Sequence, residues 1–173
     1  KGERHNFLTL LKNVDILLIG MSGLAIGLVI PGLMSASLGH FIRSSFGTDF
    51  SLLFISFTVT AYTGLMLGFR SFSEVFVGPF GGYISDRYGR LKVLVISVVL
   101  SSVGLLLVSV TDDILFTTIM IALIFAAGVL LMMQLLPLVS VVAEQNSRSG
   151  AFSVYNTFQD FGSALGPLIG LSL

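Results

Sequence analysis

Residues 81–93 read GGYISDRYGRLKV. Four charges, Asp86, Arg87, Arg90 and Lys92, crowd into this connection between two long apolar runs, with Gly82 and Gly89 beside them. The rest of the chain is poor in charge: of 173 residues, 10% are charged and 54% hydrophobic, and the mean hydropathy is +0.99. A soluble domain carries about a quarter charged residues. This chain has too few to dress an aqueous surface, so we expect an all-α membrane protein that crosses the bilayer several times.

Working outward from the loop, five apolar stretches approach the ~20 residues that a helix needs to cross a bilayer. They cover about 16–38, 58–85, 93–110, 114–142 and 151–173, with Pro31 in the first and Pro137 in the fourth. The run 51–85 is too long for one simple span, so its early part is expected in a connection. If the 86–92 connection is cytoplasmic, so are the N-terminus and the 144–148 connection. Seven of the nine bases then lie inside: Lys1, Arg4, Lys12, Arg87, Arg90, Lys92 and Arg148. Arg43 lies outside and Arg70 within an apolar run, while the turn at Asp112 and Asp113 holds no base. That bias fits the positive-inside rule and predicts a cytoplasmic N-terminus in a plasma (cell inner) membrane. The first residue is Lys and the last apolar run stops at Leu173, which suggests a piece of a longer chain.

Composition also excludes classes. Cysteine is absent and the two histidines stand apart, so thiolate and clustered metal sites are not expected. Formal net charge is zero, which gives no general attraction to nucleic acid. No glycine-rich loop precedes a Lys-Ser/Thr pair, so ATP-driven pumping is not expected, and no cofactor is called for. Gly20-Met21-Ser22-Gly23 has the form of an intramembrane protease nucleophile. Neither His5 nor His40 falls on another span to act as its base, so packing explains the tetrapeptide better and no enzyme is expected.

The spacing Gly82-x-x-x-Asp86-Arg87-x-Gly89-Arg90 resembles the signature loop of the major facilitator superfamily of secondary transporters. That family places the loop between the second and third helices of a six-helix half, as here; Leu91 then Lys92 stand where a base often follows at once. The resemblance implies a cytoplasmic latch between two halves. Gly89 permits the tight reversal, Gly82 lets a neighbouring helix come close, and Asp86 pairs with Arg90 or a helix N-terminus. The fifth run, Gly162-Ser-Ala-Leu-Gly166-Pro167-Leu-Ile-Gly170, is similar to a glycine run on the fifth helix of a half, prominent in the family's antiporters. Their full form has further glycines where Ser153 and Leu171 stand here. The resemblance covers five of six helices of one half. The basic start and the run Tyr155–Gly162 favour the C-terminal half, with the N-terminal half as alternative.

Polar residues at membrane depth are functional candidates. Counting about 1.5 Å per residue from the cytoplasmic ends, Glu74 lies about 16 Å deep, Asp160 about 15 Å and Gln134 about 14 Å. Arg70 sits one turn outward of Glu74. Since such transporters bind substrate near the midplane, Arg70, Glu74, Gln134, Asn156, Gln159 and Asp160 are expected to line a cavity for a small molecule. Burial favours the neutral acid, so Glu74 or Asp160 is the expected proton carrier. The alternative for Arg70 and Glu74 is a fixed i to i+4 pair that only holds helices. Gly64 with Gly68, Gly78 with Gly82, and Gly162 with Gly166 and Gly170 are spaced for packing in lipid. The resulting expectation is proton-coupled export of a hydrophobic or amphipathic compound, with lipid and the other half as partners. Sugar or organic-anion uptake, a channel and a non-transporting sensor are the alternatives.

Overall fold

The computed structural model describes residues 13–142 and 148–170. Lys1, Arg4, His5, Lys12, the connection at 143–147 and the end of the fifth expected span at 171–173 lie outside the described residues. Five long helices and one hairpin make up the described chain.

Helix α1 runs Val14–Phe46. Asn13 caps it, its side chain accepting from the Asp15 N–H at 3.0 Å, and Asp15 sits favourably in the first turn. Pro31 has no N–H and its ring crowds the preceding turn. The helix does not break there but widens into a π-turn over Leu28–Met34. The Ser35 hydroxyl donates to the Ile30 carbonyl at 3.2 Å. Beyond this the helix continues past Leu38, so His40 and Arg43 lie on it and not in a connection.

Strands β1 (Asp49–Leu52) and β2 (Ile55–Thr58) form an antiparallel hairpin in which Phe50 faces Phe57. Leu53 (φ 47°) and Phe54 (φ 72°) make its two-residue turn. Both lie in the left-handed region that a type I′ turn demands and that Asn-Gly fills best. The base of the hairpin is held by rings: Phe50 meets Phe46 at 6.5 Å and Tyr62 edge-on at 5.3 Å between centroids. The tip is exposed, Phe54 fully so. Replacing Leu53-Phe54 by Asn-Gly is expected to relieve about 1–2 kcal/mol of backbone strain. In detergent this reads as a thermal midpoint a few degrees higher; an unchanged or lower midpoint would show the turn to be unstrained.

Helix α2 runs Val59–Tyr88, α3 Arg90–Ser109, α4 Ile114–Val142 and α5 Arg148–Gly170. Asp113 caps α4 through the Phe116 N–H at 2.8 Å. Among the described residues, α1, α3 and α4 are long and apolar enough to cross a membrane. Helices α2 and α5 are long enough, at about 1.5 Å per residue, but more polar: they carry Arg70 and Glu74, and Asn156 and Asp160.

The packing is that of a chain dissolved in lipid. Along α3 the buried positions are Val93, Ser97, Ser101 and Gly104, while Val95, Val99 and Leu106 are 50%, 54% and 68% exposed. The Ser97 and Ser101 hydroxyls donate to the carbonyls one turn back, at 2.8 and 2.9 Å. Small residues inward and large apolar ones outward is what bilayer helices need, because close approach, not hydrophobicity, joins them.

The described chain forms two compact units. One comprises 13–36, 135–142 and 148–170, the other 37–134. In the first, α1 and α5 meet along a seam of glycines. A Cβ on Gly23 would sit 2.9 Å from the Tyr155 ring; one on Gly27 would fall on the Gln159 carbonyl, and one on Gly162 on the Leu24 carbonyl. Gly32 and Gly166 face each other backbone to backbone. In the second unit, α2, α3 and α4 pack through Gly78, Gly81 and Gly104 against Met133, Leu130 and Ile124.

Candidate functional site

In the 37–134 unit, one residue separates two helices. Helix α2 ends at Tyr88, α3 begins at Arg90, and Gly89 alone makes the reversal with φ 95° and ψ 129°. A side chain is strained in that backbone region, so the position requires glycine. The Gly89 N–H closes α2 on the Ser85 carbonyl at 2.9 Å, and its own carbonyl accepts from Val93 at 3.2 Å to start α3. This reversal places Asp86 and Arg90 side by side, Arg90 Nη2 to Asp86 Oδ1 at 3.3 Å, with side-chain exposures of 70% for Asp86 and 43% for Arg90. Arg87 lies 5.8 Å from the Tyr88 ring centroid. An ion pair so exposed contributes little to stability, which leaves both groups able to change partners.

Two expectations at this end are corrected. Gly82 is exposed and a Cβ there would meet open space; Gly81 makes the helix contact, where a Cβ would strike Leu130. The buried positions Gly78, Gly81 and Ser85 share one stripe of α2, and Gly82 is rotated out of it by one residue, about 100°. Gly64 and Gly68 likewise face open space. Gln134 is the second correction. It is 2% exposed and lines no open face. The Ser85 hydroxyl donates to its Oε1, and its Nε2 donates to the Gly81 carbonyl at 3.4 Å. An amide with both ends bonded across two helices is a tie between them, not a cavity wall.

On α2, Arg70 Nη2 bonds Glu74 Oε1 at 3.3 Å, and the two side chains are 23% and 46% exposed. On α5, in the other unit, Asn156 and Asp160 are exposed one turn apart. Their face lies away from Tyr155 and Gly162, which are buried; Gly162 meets α1. Pro167 is half-buried beside Gly166. Ser22 donates to the Leu18 carbonyl of its own helix at 2.9 Å, and Gly20 and Gly23 pack on Phe158 and Tyr155, so the tetrapeptide is part of the seam. Among the described residues no three His, Asp or Glu come together as a metal site would require.

Sequence reasoning missed Ser85, the partner that decides the role of Gln134. It also missed the bond between the Tyr62 hydroxyl and Thr118 Oγ1, 2.9 Å, which ties the N-terminal ends of α2 and α4. For Ser85 the available signal was a hydroxyl one turn from the contact glycine Gly81.

No curated protein and no solved structure matches the chain. A family model does: Major Facilitator Superfamily, over residues 16–173.

Proposed function

The chain belongs to the major facilitator superfamily, a family of secondary transporters, and from that premise we propose that it exports a hydrophobic or amphipathic compound, driven by protons. Transport would proceed by alternating access with a second half, from a plasma (cell inner) membrane with the 86–90 loop in the cytoplasm. The observation that carries the mechanism is the Gly89 reversal. It holds Asp86 and Arg90 at the surface in an exposed pair, which costs little to open. Such a pair can trade its internal bond for a group on a second half and trade back, which is what a latch requires.

The choice of compound follows from the charge on α2. Arg70 sits on the Glu74 carboxylate, so while Glu74 is ionised the patch offers an organic anion no net positive charge. That favours an amphipathic solute over the organic-anion reading. In this proposal Glu74 carries the coupling proton; Asn156 and Asp160 are the exposed polar candidates of α5, in their own unit. The Gly162, Gly166 and Gly170 run is the antiporter-like feature.

The test uses ethidium as an amphipathic probe in vesicles holding the intact protein under an imposed pH gradient. Saturable, gradient-dependent ethidium movement that a protonophore abolishes is expected; flux of an organic-anion dye without ethidium flux would favour the alternative. Glu74→Gln is expected to remove the effect of the gradient on the rate. An unchanged gradient effect would take Glu74 out of the coupling role.

A further inference from the structure

We infer that Gln134 is a positioning residue for the 86–90 loop, acting through Ser85. The inference rests on the reading of that loop as a latch. Polar ties between helices α2 and α4 include Tyr62 to Thr118 near the hairpin, at 2.9 Å, and Ser85 with Gly81 to Gln134 near the loop. The second adjoins the candidate latch. Ser85 and Gln134 are each 2% exposed. Removing the Ser85 hydroxyl would leave the buried Gln134 Oε1 without this donor, a larger loss than a hydrogen bond at a wet surface.

Ser85 has two jobs at once. Its hydroxyl is bonded to Gln134, and its backbone carbonyl accepts the Gly89 N–H at 2.9 Å. Gly89 is the single residue between the helices, and Asp86 follows Ser85 directly. The amide of Gln134 therefore fixes the residue on which the reversal closes. Gly81 lets α4 approach here: a Cβ would strike Leu130, one turn from Gln134, whose Nε2 would lie 4.0 Å away in ordinary contact. A leucine at 134 would fill similar volume but offer Ser85 and Gly81 no directed bond. Two directed bonds hold both rotation and register. The loop and the Leu130–Gln134 turn of α4 thus move as one piece, and the Asp86–Arg90 pair is presented in one geometry.

Hydrogen exchange on the purified intact protein tests this without any substrate. In Gln134→Leu and in the milder Ser85→Ala, amides 86–92 are expected to exchange about tenfold faster, the effect of losing one buried hydrogen bond. Ser85→Thr, which keeps the hydroxyl, should match the wild type. Thr118→Val, which cuts the other tie of the same helix pair, should leave the loop unchanged. In ethidium transport, Ser85→Ala and Gln134→Leu should lower kcat with KM unchanged. Wild-type loop exchange in both Ser85→Ala and Gln134→Leu overturns the inference. So does equal acceleration by Thr118→Val, which would make the effect a general loosening. If the wild type itself moves no ethidium, the functional reading fails while the exchange data still decide the tie.

Discussion

Gly166→Ala is expected to lower stability by about 3 kcal/mol, the upper range for overpacking a close contact, and to deplete the protein from the membrane. The added Cβ would fall on the Cα and carbonyl carbon of Gly32. These are backbone atoms, so no side chain can swing aside. The helices must separate, and the neighbouring contacts of Gly27 with Gln159 and Gly162 with Leu24 open with them. Close backbone approach is the main attraction available between helices in lipid, so little else at this seam compensates. Gly64→Ala is the matched control: a Cβ there meets nothing, and alanine is the better helix former by about 1 kcal/mol. Thermal unfolding in detergent distinguishes the two. A midpoint for Gly166→Ala within a degree of wild type would mean that α1 and α5 do not meet as described.

Asp86→Asn is expected to reduce transport at least tenfold while leaving the thermal midpoint nearly unchanged. The stability side follows from exposure: the Asp86 side chain is 70% exposed in its pair with Arg90, and such pairs contribute under about 1 kcal/mol. The functional side follows from the latch proposal, because an amide cannot replace a carboxylate in a bond that is repeatedly made and broken with a cation. Gly89→Ala is expected to fail in both respects. Its φ of 95° suits glycine alone, and a side chain there adds strain of about 1–3 kcal/mol. Ethidium flux, normalised to the amount of folded protein, separates the cases. If Asp86→Asn transports like the wild type, the loop only marks topology.

The loop and the α5 glycines were legible because their signals are local. Asp86, Gly89 and Arg90 lie within one turn, and Gly162 and Gly166 repeat on one helix face. What faces them was not. The opposing stripe on α1 runs Gly20, Gly23, Gly27 and then Gly32, and the π-turn at Pro31 shifts its register, so no single helical period picks it out. The misplacement of Gly82 has a similar cause: spacing gives the period of a glycine pair but not its phase, and Gly78 pairs with Gly81, not with Gly82. Depth could not decide the role of Gln134. A buried amide is equally deep as a cavity wall or as a tie, and the deciding Ser85 is 49 residues away. The hairpin was invisible because Leu53-Phe54 lacks the Asn-Gly signature of its turn.

Alternating access itself is tested most directly by counterflow. Vesicles containing the intact protein are loaded with labelled ethidium, and unlabelled ethidium is added outside. A carrier that exposes one site to each side in turn returns faster when loaded, so efflux of the label is predicted to speed up severalfold, and Asp86→Asn to abolish that acceleration. Label efflux that proceeds through the wild-type protein and is unaffected or slowed by outside ethidium would contradict the account and point to a pore.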